Sequence, residues 1–127
     1  APPPRQSTDP AAEAAGQQVF DDVGCARCHV KDFVAPGGIV AYTDLLLHQV
    51  APDGAPGIGD GDAGPLEFRT PPLWGLSRTA PYMHDGRAFS VEEAIARHDA
   101  EGAAARDAYQ ALSAQDRADL IAFLGSL

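Results

Sequence analysis

Four stretches of the chain repeat apolar residues with the period of an α-helix. They run from Ala11 to about Val23, from Val91 to about Ala100, from Ala103 to about Leu112, and from Ser113 to the end of the chain. Such spacing predicts amphipathic helices, each with one face turned towards a core. The stretches between them are rich in glycine and proline, which indicates loops. The pattern therefore predicts an all-α domain with long Gly/Pro-rich loops.

The first and last predicted helices are expected to pack against each other. Gly16 lies four residues before Phe20, on the same face of the first helix. A glycine at this position permits close approach of another helix, and Phe20 can pack beside the crossing. The last helix offers an apolar face made of Leu120, Ile121, Phe123 and Leu124. Gly24 is expected to end the first helix.

The remaining segments divide into a tail and several loops. Residues 1–10 are polar and proline-rich and predict a flexible tail, so that the folded domain spans residues 11–127. Tyr42–His48 is short and apolar, which predicts one or two helical turns. Pro52–Pro65 is rich in Gly, Asp and Pro and predicts a surface loop. Thr70–Gly86 has three prolines and no helical period, and we expect an ordered, extended segment.

One pentapeptide, Cys25–His29 with the sequence CARCH, indicates the chemistry of the chain. The C-x-x-C-H spacing is the attachment signature of a c-type haem. Both thiols would form thioethers with the haem vinyl groups, and His29 would bind the iron from the proximal side. Both cysteines of the chain lie in this motif, which favours covalent haem over two alternatives. These are a zinc site completed by two of His48, His84 and His98, and a C-x-x-C redox disulfide.

The charge of the chain restricts its partners. Its 127 residues include nine Lys+Arg and eighteen Asp+Glu, which gives a formal net charge of −9. This argues against nucleic acid and against anionic lipid, whereas a redox partner with a basic docking face would be attracted. The chain has no apolar run of about 18 residues, so we expect no membrane span. Covalent haem is attached outside the cytoplasm, so we expect a periplasmic or otherwise exported protein whose signal peptide has been removed.

Several side chains in the extended segment are candidates for contacts with the haem. Trp74 and Tyr82 combine flat apolar rings with polar tips, as a haem edge and its propionates require. Arg69, Arg78 and Arg87 are candidates for pairing with propionates, because a guanidinium binds a carboxylate through two hydrogen bonds. Each of the three could equally be an ordinary surface arginine.

The helix predicted to start at Val91 carries a histidine at the end of its apolar stripe. Ser90 and Glu93 form a capping box, which marks the start of this helix. The shared face consists of Val91, Ala94, Ile95 and His98, at spacings of three, one and three. This face makes His98 a candidate partner for the pentapeptide.

Together these motifs resemble a known family. The G-x-x-x-F helix, the C-x-x-C-H motif, the extended segment and the C-terminal helix resemble the class I cytochrome c fold. The stretch TPPLWGLSRTAPYMHDGRAFSVEEAIARH, followed by DRADLIAFLGSL, is similar to the C-terminal haem domain of the di-haem cytochrome c peroxidase superfamily. YTDLLLHQ and RTPPLWGL resemble its di-haem oxidoreductase, or thiol-oxidoreductase-like, branch. The resemblance covers about Ala14 to Leu127 and implies a cytochrome c-like helical domain wrapped around one covalent haem c.

The resemblance also implies a ligand on the distal side of the iron. In that superfamily this ligand lies in the helix after P-Y-x-H-D-G and is a methionine or a tyrosine in other members. The matching position is His98, so that His29 and His98 would form a bis-histidine haem. Alternative ligands are Met83, the only methionine of the chain, and His48, His84 or water. His84 matches a family histidine that lies near the haem without binding the iron.

One departure from the superfamily affects the expected function. The di-haem enzymes carry two C-x-x-C-H motifs, and this chain has one. The chain resembles the half that supplies electrons, whereas peroxide binds to the other half. We therefore expect an electron-transfer domain with a closed haem, whose partner is a redox protein or a second haem domain. The alternative is a peroxidase-type enzyme domain whose distal ligand leaves on activation, with His84 or Glu93 as the acid–base group.

Overall fold

The first and last helices of the chain cross each other, and the other elements pack around this crossing. The computed structural model describes residues 3–52 and 54–127, and within these ranges the chain has four α-helices and four short β-strands. The helices are α1 (Pro10–Asp22), α2 (Val91–Ala96), α3 (Ala103–Gln110) and α4 (Ala114–Ser126). The strands are β1 (Val34–Ala35), β2 (Ile39–Val40), β3 (Leu47–Gln49) and β4 (Glu67–Arg69). Short 3-10 turns span Cys25–Arg27, Leu76–Arg78 and Ala100–Gly102.

The strands correct the expectation of an all-α domain. β1 pairs antiparallel with β2, and β3 pairs antiparallel with β4, with His48 opposite Phe68. The helical turns predicted for Tyr42–His48 are therefore wrong, because this segment is an irregular loop that leads into β3. Tyr42 and Leu45 have φ angles of 54° and 60°, a left-handed backbone that interrupts a right-handed helix. The fold is helix-rich, with two small sheets and long loops.

α1 begins and ends within one residue of its predicted bounds. Asp9 is its N-cap, and the carboxylate of Asp9 accepts a hydrogen bond from the Ala12 backbone N–H at 3.2 Å. Pro10 occupies the first helical position, where its missing N–H costs nothing. Gly24 follows the helix with a φ of 94°, which residues with a Cβ rarely adopt. This left-handed turn leads the chain directly into the Cys25–His29 pentapeptide.

The crossing of α1 and α4 confirms the interpretation of Gly16 and Phe20. A Cβ atom on Gly16 would overlap the backbone carbonyl oxygen of Asp119 and lie 2.8 Å from the Cβ of Phe123. The backbones of the two helices therefore touch at Gly16. Phe20 packs beside the contact, with its ring centroid 5.4 Å from that of Phe123, and both rings are almost completely buried.

Residues from loops complete the core around the two helices. The buried cluster consists of Phe20, Tyr42, Leu73, Tyr109, Leu120, Phe123, Leu124 and Leu127. The ring of Tyr42 makes edge contacts with Phe20 and Phe123, at centroid distances of 5.9 Å and 5.7 Å. Tyr42 therefore anchors the loop before β3 to the helix crossing.

α2 is shorter than the apolar pattern predicted. Its start agrees with the capping box, because Ser90 Oγ accepts from the Glu93 N–H at 3.2 Å and Glu93 Oε2 accepts from the Phe89 N–H at 2.7 Å. The helix ends at Ala96 rather than near Ala100. Ala100 itself has a left-handed backbone, with a φ of 47°. His98 therefore lies just after α2 and not on its apolar face.

The N-terminal segment lies against α4. The backbone N–H of Gln6 donates to the Ser126 carbonyl oxygen at 2.8 Å, and Arg5 Nη2 donates to Ser126 Oγ at 2.7 Å. The Arg5 guanidinium also lies 5.5 Å from the ring centroid of Phe123. Residues 1 and 2 lie outside the described residues, and the flexibility of the tail stays a prediction. In the part of the chain that the structure describes, no helix is both long and apolar enough to span a bilayer.

The helix crossing should be sensitive to one methyl group. Gly16→Ala should lower the free energy of unfolding by about 1–3 kcal/mol, because the added Cβ forces α1 and α4 apart. Urea denaturation of the holoprotein measures the change. Gly125→Ala, also in a helix, is the matched control, because its added Cβ would meet nothing within 4 Å. That variant should be unchanged or more stable by up to about 1 kcal/mol; equal losses in both variants would contradict the prediction.

Candidate haem site

The pentapeptide forms a tight turn immediately after α1. The backbone N–H groups of Cys28 and His29 both donate to the Cys25 carbonyl oxygen, at 3.4 Å and 3.1 Å. The turn places two thiols and an imidazole on a short segment that α1 and Gly24 hold at one end. Cys25 and Cys28 both carry free thiols, which thioether formation requires.

Burial keeps both thiols protonated at neutral pH. It raises the pKa of Cys25 to about 11, and the negative charge of Asp21 adds to this effect. The pKa of Cys28 is also raised, first by burial and then by the carboxylates of Asp44 and Glu101. Neither cysteine therefore has the lowered pKa of a reactive redox thiol, which weakens the redox-disulfide alternative.

The His29 ring is held in one tautomer by the core. Its Nδ1 lies 3.0 Å from the Tyr42 carbonyl oxygen, and because a carbonyl only accepts, Nδ1 must carry the proton. Nε2 then keeps its lone pair, which is the state a metal-binding imidazole needs. Burial lowers the pKa of His29 to about 4, so the ring is neutral at neutral pH.

His98 is held in the same tautomer by a different segment. Its Nδ1 lies 2.8 Å from the Ala94 carbonyl oxygen, so Nε2 again keeps the lone pair. Gly102 packs against the ring, because a Cβ at this position would lie 3.0 Å from the Cβ of His98. Arg106 Nη1 donates to the His98 carbonyl oxygen at 3.0 Å, which fixes the backbone of this residue as well.

The two histidines lie close enough to interact electrostatically. A positive charge on His98 contributes to lowering the pKa of His29, after the larger effect of burial. The fold therefore brings into one region two imidazoles, each with Nδ1 within hydrogen-bond distance of a backbone carbonyl oxygen. The two carbonyl groups, from Tyr42 and Ala94, are functional groups that the sequence analysis missed, because backbone atoms leave no signal in side-chain patterns.

His48, an alternative ligand from the sequence, is engaged by two carboxylates. Its Nε2 lies 2.8 Å from Asp44 Oδ2, and its Nδ1 lies 2.9 Å from Glu101 Oε2. The hydrogen bonds with Glu101 and Asp44 raise the pKa of His48. Sγ of Cys28 and the nearest ligand atoms of Asp44 and His48 lie within 4.8 Å of one another. The pairing of His48 with Glu101 could not be predicted from the sequence, because the two residues lie 53 positions apart along the chain.

Trp74 and Tyr82 both lie in partly buried positions. Trp74 is half-buried and lines a cleft with Arg5, Tyr42 and Leu127. The hydroxyl of Tyr82 donates to the Leu76 carbonyl oxygen at 2.6 Å and thereby braces the extended segment. Contacts of either side chain with haem stay a prediction.

His84, Met83 and the candidate arginines lie at the surface or in a small cleft. His84 is exposed and stacks on Phe68, with a centroid distance of 4.1 Å. Met83, His84 and Arg87 line one cleft, and Arg87 Nε lies 3.1 Å from Asp85 Oδ2. Arg69, at the end of β4, and Arg78 are exposed. Their pairing with propionates stays a prediction.

The donor groups fit a c-type haem. Two unpaired thiols stand at the C-x-x-C-H spacing, and two imidazoles from separate segments each place Nδ1 against a backbone carbonyl oxygen, which leaves Nε2 available. Thioether attachment with axial imidazole is the ligand chemistry of c-type cytochromes. The helix-rich fold and this donor set define the class of a c-type haem protein.

Comparison with known proteins identifies the family. The whole chain, residues 1–127, matches the di-haem oxidoreductase family. The chain therefore belongs to the di-haem oxidoreductases. The methylamine utilization protein MauG of Methylorubrum extorquens is 31% identical over 117 residues, which cover 82% of this chain and 31% of MauG. The cytochrome c551 peroxidase of Pseudomonas aeruginosa is 28% identical over 91 residues, which cover 68% of this chain and 26% of that protein.

A solved structure supports the fold. Hydrazine synthase of Kuenenia stuttgartiensis superimposes with a TM-score of 0.68 and 23% identity, over 99% of this chain and 50% of that one. The chain spans less than a third of the length of MauG and of the cytochrome c551 peroxidase.

The His48 cluster should make stability depend on pH. The pKa of His48 is higher in the folded protein than its unfolded-state value of 6.5. The pairing of His48 with Asp44 and Glu101 therefore stabilises the fold fully below pH 6.5, and this stabilisation is lost as the pH rises through the folded-state pKa. His48→Gln should therefore lower the free energy of unfolding of the holoprotein by about 1 kcal/mol near pH 5.5, and by less near pH 9. Urea denaturation at both pH values measures this difference.

The exposed Gln115→Ala variant is the control for this experiment. It removes a hydrogen bond from Gln115 Nε2 to Asp119 Oδ1 on the surface of α4, far in sequence from His48. Its effect on stability should be equal at the two pH values. The prediction is wrong if the loss caused by His48→Gln is also independent of pH.

Proposed function

We propose that the chain binds one haem c through Cys25 and Cys28, with His29 and His98 as axial ligands, and transfers electrons between that haem and a second redox centre. The observation that carries this proposal is the pair of fixed imidazole tautomers. Both Nδ1 atoms are bound to backbone carbonyl oxygens, so both rings present Nε2 to a metal. Two such rings from opposite segments would close both axial positions of one iron.

The roles of the residues follow from this geometry. When bound, the haem supplies an iron that alternates between the ferric and ferrous states. Cys25 and Cys28 tether the group, and the Tyr42 and Ala94 carbonyl groups orient the two imidazoles. His29 need not lose a proton at neutral pH, because burial lowers its pKa to about 4. Histidine in place of methionine should lower the potential relative to a His/Met cytochrome.

The second redox centre is proposed to be another haem. The family is di-haem, whereas this chain contains one C-x-x-C-H motif. The partner haem would lie elsewhere in the complete protein or in a separate redox protein. With a net charge of −9, the chain would attract a partner with a basic docking face. Since covalent haem is attached outside the cytoplasm, we propose a periplasmic or otherwise exported location.

The surroundings of the haem form part of this proposal. Arg69, Trp74, Tyr82 and His84 remain the candidates for contacts with the porphyrin edge and its propionates. Residues 11–127 would form the mono-haem domain, with residues 1–10 as its tail. Met83 becomes a weaker ligand candidate, because its φ of 66° belongs to a turn beside the exposed His84.

A peroxidase-type domain is the second candidate function. The relative from Pseudomonas aeruginosa is a cytochrome c551 peroxidase, which favours this alternative. Such a domain needs an open axial position and an acid–base group. Of the two groups considered, Glu93 accepts a hydrogen bond at the start of α2 and His84 stacks on Phe68. These contacts support the closed, electron-transfer function instead.

Substitution of His98 tests the proposed ligation. The wild-type holoprotein should show a low-spin spectrum. It should bind carbon monoxide only slowly, because His98 must first leave the iron, and it should not bind peroxide. His98→Ala should become high-spin and bind carbon monoxide, because one axial position opens. His98→Met should remain low-spin with a higher potential, because a thioether favours the ferrous state. Absorption spectra with and without each ligand, and a redox titration, measure these changes.

His84→Ala is the matched control, since it removes an exposed imidazole that we do not assign to the iron. It should stay low-spin and should bind carbon monoxide no faster than the wild type, because a contact at the haem edge does not occupy an axial position. Survival of the low-spin spectrum in His98→Ala would disprove the ligand assignment. Peroxide binding by the wild type would instead favour the peroxidase candidate.

A further inference from the structure

β3 and the residue after it hold the segment that carries His98. His48 Nδ1 lies 2.9 Å from Glu101 Oε2, and the Gln49 N–H donates to Glu101 Oε1 at 2.8 Å. The next residue, Val50, accepts from the Asp99 N–H at 2.8 Å. Three successive residues of one segment therefore contact the chain immediately after His98.

The other end of this connection lies beside His29. His48 Nε2 is 2.8 Å from Asp44 Oδ2, while Asp44 Oδ1 accepts from the Leu46 N–H at 2.9 Å. Asp44 stands two residues after Tyr42, whose carbonyl oxygen binds the His29 ring. Thr43, between them, is completely buried, and its hydroxyl donates to the Thr70 carbonyl oxygen at 2.7 Å. The proximal end is therefore rigid.

We propose that His48 is a positioning residue that connects the proximal and distal sides of the haem and keeps His98 on the iron. One ring nitrogen is bonded to Asp44 on the His29 side, and the other is bonded to Glu101 on the His98 side. This inference rests on the proposed bis-histidine ligation and adds a determinant of how firmly the distal position stays closed. The proposal concerns the distance between the two ligand-bearing segments, which the side chain of His48 connects through one hydrogen bond at each ring nitrogen.

Charge and burial support this role. The side chains of His48 and Asp44 are only 17% and 12% exposed, so water screens this pair weakly. A cation between two carboxylates also attracts both, whereas Asp44 and Glu101 would repel each other without it. The charge of His48 thus supplies an attraction that the backbone contacts of Gln49 and Val50 cannot.

Arg106 provides a separate hold on the same segment. Its Nη1 donates to the His98 carbonyl oxygen and to Asp99 Oδ1, both at 3.0 Å. Arg106 comes from α3, however, and among the described residues its side chain forms hydrogen bonds only with His98, Asp99 and Asp107, none of which lies beside His29 along the chain. Loss of His48 should therefore leave His98 folded near its place but free to move away from the iron.

Carbon monoxide binding to the ferrous holoprotein tests the proposal. The gas can bind only after His98 leaves the iron, so its binding rate reports how often the distal position opens. His48→Phe keeps a ring but loses both hydrogen bonds, and it should raise the rate at least tenfold. Glu101→Gln keeps an oxygen for the Gln49 N–H but loses the charge that faces His48. It should also raise the rate, and it decides the question if His48→Phe does not fold.

Arg117→Ala is the control for a general loss of stability. Arg117 Nη2 donates to the carbonyl oxygens of Gln110 and Leu112, at 2.7 Å and 3.0 Å, which joins the end of α3 to α4. Its removal should lower the melting temperature without changing the carbon monoxide rate. Haem content per chain, measured for every variant, excludes incomplete attachment as a cause of altered spectra.

The outcomes separate this proposal from the one on which it rests. Wild-type rates in His48→Phe and Glu101→Gln, together with rapid binding in His98→Ala, would overturn the role of His48 and leave the bis-histidine haem intact. An equal acceleration in Arg117→Ala would also overturn it, because the effect would then follow stability alone. A wild-type protein as fast as His98→Ala would disprove the proposed ligation itself.

Discussion

The contact between α1 and α4 at Gly16 is the constraint on which the rest of the structure depends. With no side chain at this position, the backbones of the two helices touch, and Phe20 and Phe123 can pack beside the contact. α1 leads through Gly24 into the pentapeptide, so the crossing also determines where the two thiols and His29 begin. Tyr42 packs against the ring of Phe20, and its carbonyl oxygen orients the His29 imidazole through one hydrogen bond. Core packing and haem chemistry therefore share the same residues.

The site is built from two segments that are supported in different ways. The proximal histidine is supported by the core, because Tyr42 is buried between the crossing helices. The distal histidine lies in a short turn after α2, which is held by Arg106 and by the contacts from β3. A segment held mainly by hydrogen bonds and partly exposed ion pairs opens more easily than one held by a packed core. Under the proposed ligation, the iron would therefore become accessible when His98 moves away from it.

This asymmetry relates the two functions considered for the domain. A haem with two axial histidines transfers electrons, and a haem with an open distal position can react with peroxide. Under the proposed ligation, the difference between a closed and an open haem would depend on a few polar contacts around His98 and would need no change of fold.

The cofactor class, the family and the helix crossing could be predicted from the amino-acid sequence, because each depends on residues at fixed local spacings. The C-x-x-C-H motif, Gly16 with Phe20, and the capping box of Ser90 and Glu93 are of this kind. Sequence reasoning failed at Tyr42–His48, where pairing of β3 with the distant β4 overrides a short apolar run that resembles a helix. Three-dimensional packing was needed to bring Nδ1 of His29 to the Tyr42 carbonyl oxygen and Glu101 to His48. These two contacts join positions 13 and 53 residues apart, which no local periodicity can encode. The contact of His98 with the Ala94 carbonyl oxygen spans only four residues, but side-chain patterns do not reveal a backbone acceptor.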